Sequence, residues 1–377
     1  MGEYNIMNDI VTTVTMRDGC ALNVKLSEPD NAQSEPWRRD DKSKSLRSVL
    51  LFVQSSGPHT YDDERVINGR RICCFDLFAN ELTRRGVAFC RYSTRGVYPG
   101  GEPPMFVTID DNEYKTYLPS NSVNDIVRLT EWLHERGYTQ IALLGWSEGS
   151  IIAPLAVQNG AQVQKLLLAG YLGCNLRDIL CWQLSGNLSC IFYRRMFDYD
   201  KKGYISESDF DEDRYNVRAA LFGDRSFAEL DINHDGRLDA SDFKPACERH
   251  LADMLAAIDR GDDDWLRKNH GVRLTSGWFR EHFALEPNSE LLCELAETRP
   301  LELHIFSGGW DSMTPPSEAF ELEARFRQLG LSLTHRHFEN ADHDLNLLAY
   351  FIKGTIPDGI AAIIDAAVRM NENDTDE

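Results

Sequence analysis

Nothing in this 377-residue chain approaches the ~18 uninterrupted apolar residues of a membrane-spanning helix, and its first thirty residues hold no signal-like apolar run. No membrane partner is expected, and a cytoplasmic protein is. Positive charge is also scarce, with 40 Lys and Arg against 60 Asp and Glu for a net charge of -20. That balance opposes contact with phosphate backbones, so nucleic acid is not an expected partner. Cysteine pairing of the C-x-x-C kind is missing, and nine cysteines make an odd number. Apolar settings such as Val87-Ala88-Phe89-Cys90 argue for reduced, mostly buried thiols. Cys73-Cys74 reads as two small residues on a helix face, with a redox switch as the rival. No organic cofactor is expected.

What the chain does have is apolar content, 42%, ample for a large buried core. Residues 9–28 alternate apolar and polar about Arg17-Asp18-Gly19, the pattern of an antiparallel hairpin at a sheet edge. A polar stretch, 34–47, follows. Strand-like runs at 49–53, 87–92, 141–144 and 163–169 then alternate with helix-like segments at 75–85, 122–136 and 151–156. That alternation implies an α/β fold with a doubly wound, mostly parallel sheet. It breaks over 173–298 and resumes at 301–306. The expected organisation is a core in two parts, 1–172 and 299–377, the second with an acidic tail, around a helical cap at 173–298. An insertion there lies beyond the carboxyl ends of the strands, where sheet ligands bind.

Gly145-Trp146-Ser147-Glu148-Gly149 sits between the run 141–144 and the helix-like 151–156 and matches G-x-S-x-G. A serine on a tight strand-to-helix turn projects its hydroxyl from the sheet edge, and the following helix aims its N-terminal amides at the same spot. Ser147 is a nucleophile candidate. A weak nucleophile needs a histidine to take its proton and a carboxylate to orient that histidine. Asp311 follows the run 301–306, and His343 follows the run 333–338. Rivals are Asp342 and Asp344 for the acid and His335 and His337 for the base. Asp342 and Asp344 flank the histidine and suit shaping its turn, and the two strand histidines suit structural roles.

Several segments together resemble the α/β-hydrolase superfamily, and more narrowly its bacterial serine esterase and aminopeptidase-like branch. They are Ser56-Gly57-Pro58, Arg91-Tyr92-Ser93-Thr94-Arg95-Gly96, the pentapeptide at 145–149, Leu168-Ala169-Gly170, Gly309-x-Asp311-x-x-x-Pro315 and Ala341-Asp342-His343. The resemblance implies Ser147 as nucleophile, His343 as general base and Asp311 as its orienting acid. It also implies an oxyanion hole from the amide of Glu148 with that of Ser56, or secondarily Ser55. The family's usual His-Gly before the oxyanion turn is replaced by Gln54-Ser55, and Ser93 stands where Asp is common. For Glu148 the amide, not the side chain, is expected to matter.

Inside the cap, residues 198–209 and 231–242 have the ligand spacing of EF-hand loops, positions 1, 3, 5, 7, 9 and 12 with glycine at 6, and they begin 33 residues apart. Phe210 and Phe243 follow them. The region resembles a paired EF-hand, spanning about 190–250. The second loop offers Asp231, Asn233, Asp235, the Arg237 carbonyl, Asp239 and Asp242. The first offers Asp198, Asp200, Tyr204, Ser206 and Asp209, but Lys202 at position 5 can donate no oxygen, so weak binding or none is expected there. Calcium is the expected ion, with magnesium a competitor because Asp replaces the longer Glu at position 12. Its simplest role is to hold the cap together.

The expected activity is hydrolysis of an ester, thioester or amide of a small-molecule or peptide acyl substrate through an acyl-enzyme. The same triad could serve an acyltransferase or a macrocyclising thioesterase. A non-catalytic, calcium-dependent binding protein is the reading from another class.

Overall fold

A computed structural model of the chain describes residues 8–30 and 47–371. Most of the polar stretch and the acidic tail therefore lie outside the described residues. The central sheet has eight strands: β1 (Asn8–Thr15), β2 (Ala21–Glu28), β3 (Ser48–Val53), β4 (Val87–Tyr92), β5 (Gln140–Trp146), β6 (Lys165–Ala169), β7 (Glu302–Gly308) and β8 (Thr334–Phe338). Their order is β1-β2-β4-β3-β5-β6-β7-β8. The edge hairpin β1–β2 is antiparallel, as its alternation implies, and joins β4 antiparallel. All pairings from β4 through β8 are parallel.

Successive strand residues point to opposite faces, so a strand covered on both sides must be apolar throughout. In β3 all six residues are buried. Val49, Leu51 and Val53 enter one core, beneath α2 (Pro119–Glu135) and α3 (Gly149–Gln158), through side chains such as Ile126, Leu133 and Ile152. Leu50 and Phe52 enter the other, beneath α1 (Asp76–Arg84) and a C-terminal helix at Asp358–Val368, through Phe78, Ile360 and Ile363. Each such buried Leu or Phe contributes about 1.5–3 kcal/mol.

Between β6 and β7 the chain leaves the sheet for a helical insertion. Within it, α4 (Leu176–Trp182) and α5 (Leu188–Phe197) are joined by a short break at 183–187. A long helix, α6 (Ala240–Arg260), and α7 (Ser276–Phe283) follow. Met254, Ile258, Leu274, Trp278 and Phe279 form a cap core that also takes in Tyr114 and Tyr117 from the region before α2. Residues 197–242 have a small core of their own, built from Phe197, Ile205, Phe210, Phe222, Phe227, Leu230 and Leu238.

Two expectations about cysteine need correction. Cys73 ends a two-stranded ribbon (Glu64–Ile67 with Arg70–Cys73) and Cys74 lies in the turn after it, so the pair is not on a helix. Arg70–Cys73 instead pairs antiparallel with Glu64–Ile67, a contact that short-range helix preference could not reveal. Of nine free cysteines only Cys74, Cys90, Cys190 and Cys293 are buried, and Cys174 and Cys181 are exposed. Burial, aided by nearby acids, pushes the Cys73 thiol up to about 12.

Candidate active site

Ser147 has a φ of 54°, the left-handed region that a non-glycine residue occupies only when its surroundings force it. Here the forcing comes from both neighbours. A Cβ on Gly145 would lie 2.3 Å from the Gly149 carbonyl oxygen, and one on Gly149 would lie 2.1 Å from the Val53 carbonyl oxygen. Only glycine at both places lets the turn close against β3. The Ser147 amide donates to the Ala169 carbonyl at 2.9 Å, tying the turn to the end of β6.

The other two candidate residues arrive on loops after β7 and β8. Those loops lie backbone to backbone, with Gly309 N donating to Phe338 O at 3.0 Å and Trp310 N to Ala341 O at 2.9 Å. His343 Nδ1 lies 3.0 and 2.9 Å from the two Asp311 carboxylate oxygens. Asp311 is buried and also accepts from the Thr314 hydroxyl at 2.7 Å and from the amides of Met313 and Thr314. Burial favours its neutral form, but the His343 ring and these donors win and hold its pKa below the usual carboxylate value. Burial pulls the His343 pKa down, yet the adjacent Asp311 raises it to about 9. The imidazole ring lies over Gly170, where a Cβ would come within 2.5 Å of its Cε1. Ser147 and His343 thus border the same stretch, 169–170. Both hydrogen bonds of the ring go to Asp311 and none to Ser147, whose hydroxyl is half-buried beside a cavity. Such contacts commonly tighten only with substrate bound.

Asp342 and Asp344 do shape the turn, the Asp342 carboxylate accepting from Asp344 N at 3.1 Å and Asn346 N at 2.8 Å. His335 and His337 both hydrogen-bond the Ser307 hydroxyl, at 2.8 and 2.9 Å. Of the two oxyanion candidates beside Glu148, Ser56 borders the cavity with Ser147, whereas Ser55 faces other clefts. Ser55, His59 and Asp63 look like a second triad, with Ser55 Oγ 3.2 Å from His59 Nε2 and His59 Nδ1 3.0 Å from Asp63. That dyad is spoken for. His59 Nε2 also donates to the Ser56 carbonyl at 3.0 Å, and Asp63 raises its pKa against the opposing effect of burial. With Nε2 turned to the Ser56 carbonyl and Nδ1 to Asp63, the ring braces the turn.

The side chain of Glu148 is a feature that sequence reasoning undervalued. Its carboxylate is 5% exposed and accepts from Trp278 Nε1 at 2.9 Å, His282 Nε2 at 2.9 Å and the Tyr117 hydroxyl, which itself accepts from Gly57 N at 3.3 Å. One carboxylate therefore joins the serine turn, the turn at 56–57 and the cap helix α7. The only sequence signal for it was an ionisable residue in an otherwise apolar elbow.

The cavity beside Ser147 has a volume of about 290 Å³. Leu176 and Leu180 of α4, Leu184 in the break after it and Leu188 at the start of α5 form one wall, and Ile151, Leu172 and Phe279 add to it. An apolar chamber ending at a serine hydroxyl suits an apolar acyl group.

In the cap, both loops have matching backbones: Lys201 and His234 at position 4 have φ 56° and 59°, and Gly203 and Gly236 at position 6 have φ 96° and 80°. Ile205 and Leu238 exchange backbone hydrogen bonds of 3.0 and 2.9 Å, a two-residue ladder between the loops. In the first loop the Lys202 ammonium reaches Asp200 at 2.8 Å and Asp209. That donor set does not fit a second cation. In the second loop Asp231 accepts from Asp235 N and Gly236 N, and Asp242 from Ile232 N and Asp239 N. Among the described residues no group of three or more His, Cys, Asp or Glu side chains converges to hold a metal. The second loop keeps the oxygen types that suit a hard cation, with its carboxylates turned to backbone amides.

No protein-family model matches the chain, and no curated protein matches it. Solved structures similar to it include a highly thermostable carboxyl esterase from Bacillus coagulans, 12% identical, with a TM-score of 0.50 over 96% of this chain and 99% of that one. An α/β hydrolase from Penicillium sp. sh18 is 12% identical over 97% and 98%, with a TM-score of 0.48. At such identity the likeness speaks to fold alone: the chain has an α/β fold with a mostly parallel central sheet, matching that of α/β hydrolases.

Proposed function

We propose that the chain is a serine hydrolase acting on esters, thioesters or amides of an apolar acyl group. The observation that carries this reading is the Asp311–His343 pair lying over Gly170, one residue beyond the carbonyl that anchors the strained Ser147 amide. Ser147 Oγ attacks the acyl carbonyl while His343 Nε2 takes its proton, and Asp311 holds the ring and stabilises the imidazolium. The amides of Glu148 and Ser56 receive the developing oxyanion, and the leucine-lined cavity receives the acyl chain. His343 then protonates the leaving group, and water activated by the same ring releases the acid. If an amine or alcohol takes the place of water, the enzyme is an acyltransferase. The test is turnover on a panel of esters, thioesters and peptides by wild type and Ser147→Ala, with product analysis in the presence of an amine. Loss of turnover in Ser147→Ala supports the reading, and equal turnover in both overturns it.

We also infer that the second loop, through Asp231, Asn233, Asp235, Asp239, Asp242 and the Arg237 carbonyl, takes a calcium-class cation. When bound, such an ion would neutralise the carboxylate cluster and hold the cap, with no part in the bond chemistry. Calorimetric titration with calcium should give one site that Asp231→Ala removes. No heat from the wild type would overturn it.

A further inference from the structure

The loop that carries His343 is held from outside the core as well as from within it. Leu345 and Asn346 have φ of 49° and 61°, and a leucine in that region persists only when its surroundings over-determine it. Part of the constraint is internal, from the Asp342 side chain to the amides of Asp344 and Asn346. Part comes from the core, where the Leu345 side chain is buried among residues such as Ile360 and Ile363. A further tie comes from α5. Arg195 Nη1 donates to Asp342 Oδ2 at 2.7 Å and Nη2 to Asn346 Oδ1 at 2.8 Å, so one guanidinium spans the two residues that straddle His343. Lys201 Nζ, in the loop after α5, donates to Asn340 Oδ1 at 3.1 Å. Arg194 lies 5.7 Å over the Trp310 ring, next to Asp311, and donates through Nε to Asp198 at 3.1 Å. Asp198 opens the first EF-hand-like loop, where the Lys202 ammonium stands among Asp200 and Asp209.

We propose that Arg195 is a positioning residue for His343, carried on a helix that the first loop anchors with its own lysine in place of a cation. This rests on the hydrolase reading above. About a third of the Arg195 and Asp342 side chains is exposed, so the ion pair itself adds little stability. Its planar fork instead fixes the direction of the turn, which a point charge cannot do.

The test compares Arg195→Met and Arg195→Lys with wild type for kcat, KM, melting temperature and the rate of fluorophosphonate labelling. An ångström of displacement at a catalytic group costs on the order of 10²-fold in rate. Arg195→Met should therefore lose about 10- to 100-fold in kcat and in labelling rate, with KM within about 2-fold and melting temperature unchanged. Arg195→Lys, able to meet Asp342 but not both partners, should recover part of the loss. If kcat of Arg195→Met stays within about 2-fold of wild type, the positioning role is overturned while the triad stands. The same holds if that variant simply melts earlier, because the role would then be structural. If Ser147→Ala retains turnover, the hydrolase reading is what fails.

Discussion

Replacing Glu148 with alanine should damage the protein through stability first. The carboxylate satisfies three donors, Trp278 Nε1, His282 Nε2 and the Tyr117 hydroxyl, on side chains that are 3%, 1% and 8% exposed. Each buried donor left without a partner costs about 1–3 kcal/mol. The neighbouring cavity can admit a water to one of them, which places the total at about 2–6 kcal/mol. For a chain of this size about 2 °C accompanies each kcal/mol, so melting should fall by about 4–12 °C. Glu148→Gln is the informative partner. Its amide oxygen can keep both donors at Oε1 while its nitrogen donates to Tyr117, so the loss should be about 1–2 kcal/mol. Because α7 docks through Trp278 and His282, proteolysis of the cap should accelerate in the alanine variant at temperatures where the core is intact. Calorimetry of the three proteins decides it. A melting shift below 2 °C in Glu148→Ala, or equal shifts in both variants, would refute the strut.

The pH dependence follows from His343, whose pKa Asp311 raises to about 9 from 6.5 despite burial. In the proposed mechanism the neutral ring is the base, so kcat/KM should climb with pH through a midpoint above 6.5, whereas the ion pair's contribution to stability is present below 6.5 and fades as pH rises through about 9. Asp311→Asn should bring the midpoint down and cut kcat by about 10⁴, and an unmoved midpoint would contradict this. Gly170→Ala should abolish turnover with the fold retained, since its Cβ would press within 2.5 Å of the His343 ring at a backbone φ of 56°; wild-type kcat would refute the placement. A large residue at Leu184, such as Trp, should shift ester preference towards shorter acyl chains, and an unchanged chain-length profile would remove the cavity from the binding site.

Much of the sheet was legible because its strands are apolar on both faces and bounded by helices, a pattern that needs no long-range information. The serine turn was legible from its local five-residue pattern, in which Gly145 meets Gly149, although the contact that demands glycine at 149, with the Val53 carbonyl, is long-range. The paired loops could be read from spacing, and their matching backbones agree at positions 4 and 6. What stayed hidden depends on partners far along the chain. Trp278 and His282 lie 130 and 134 residues from Glu148, and no local pattern announces them. Arg195 meets Asp342 across 147 residues. Lys202 was visible as a misfit donor, yet its place among the loop carboxylates emerged only in three dimensions. Cys73-Cys74 misled because a short ribbon has too few residues for its period to show.

The most direct measurement is intact and peptide mass spectrometry after exposure to a fluorophosphonate. A working triad at Ser147, His343 and Asp311 predicts one adduct, on the peptide containing Ser147, absent in Ser147→Ala and slowed strongly in His343→Ala. An unmodified protein, or an adduct on another serine, would contradict it.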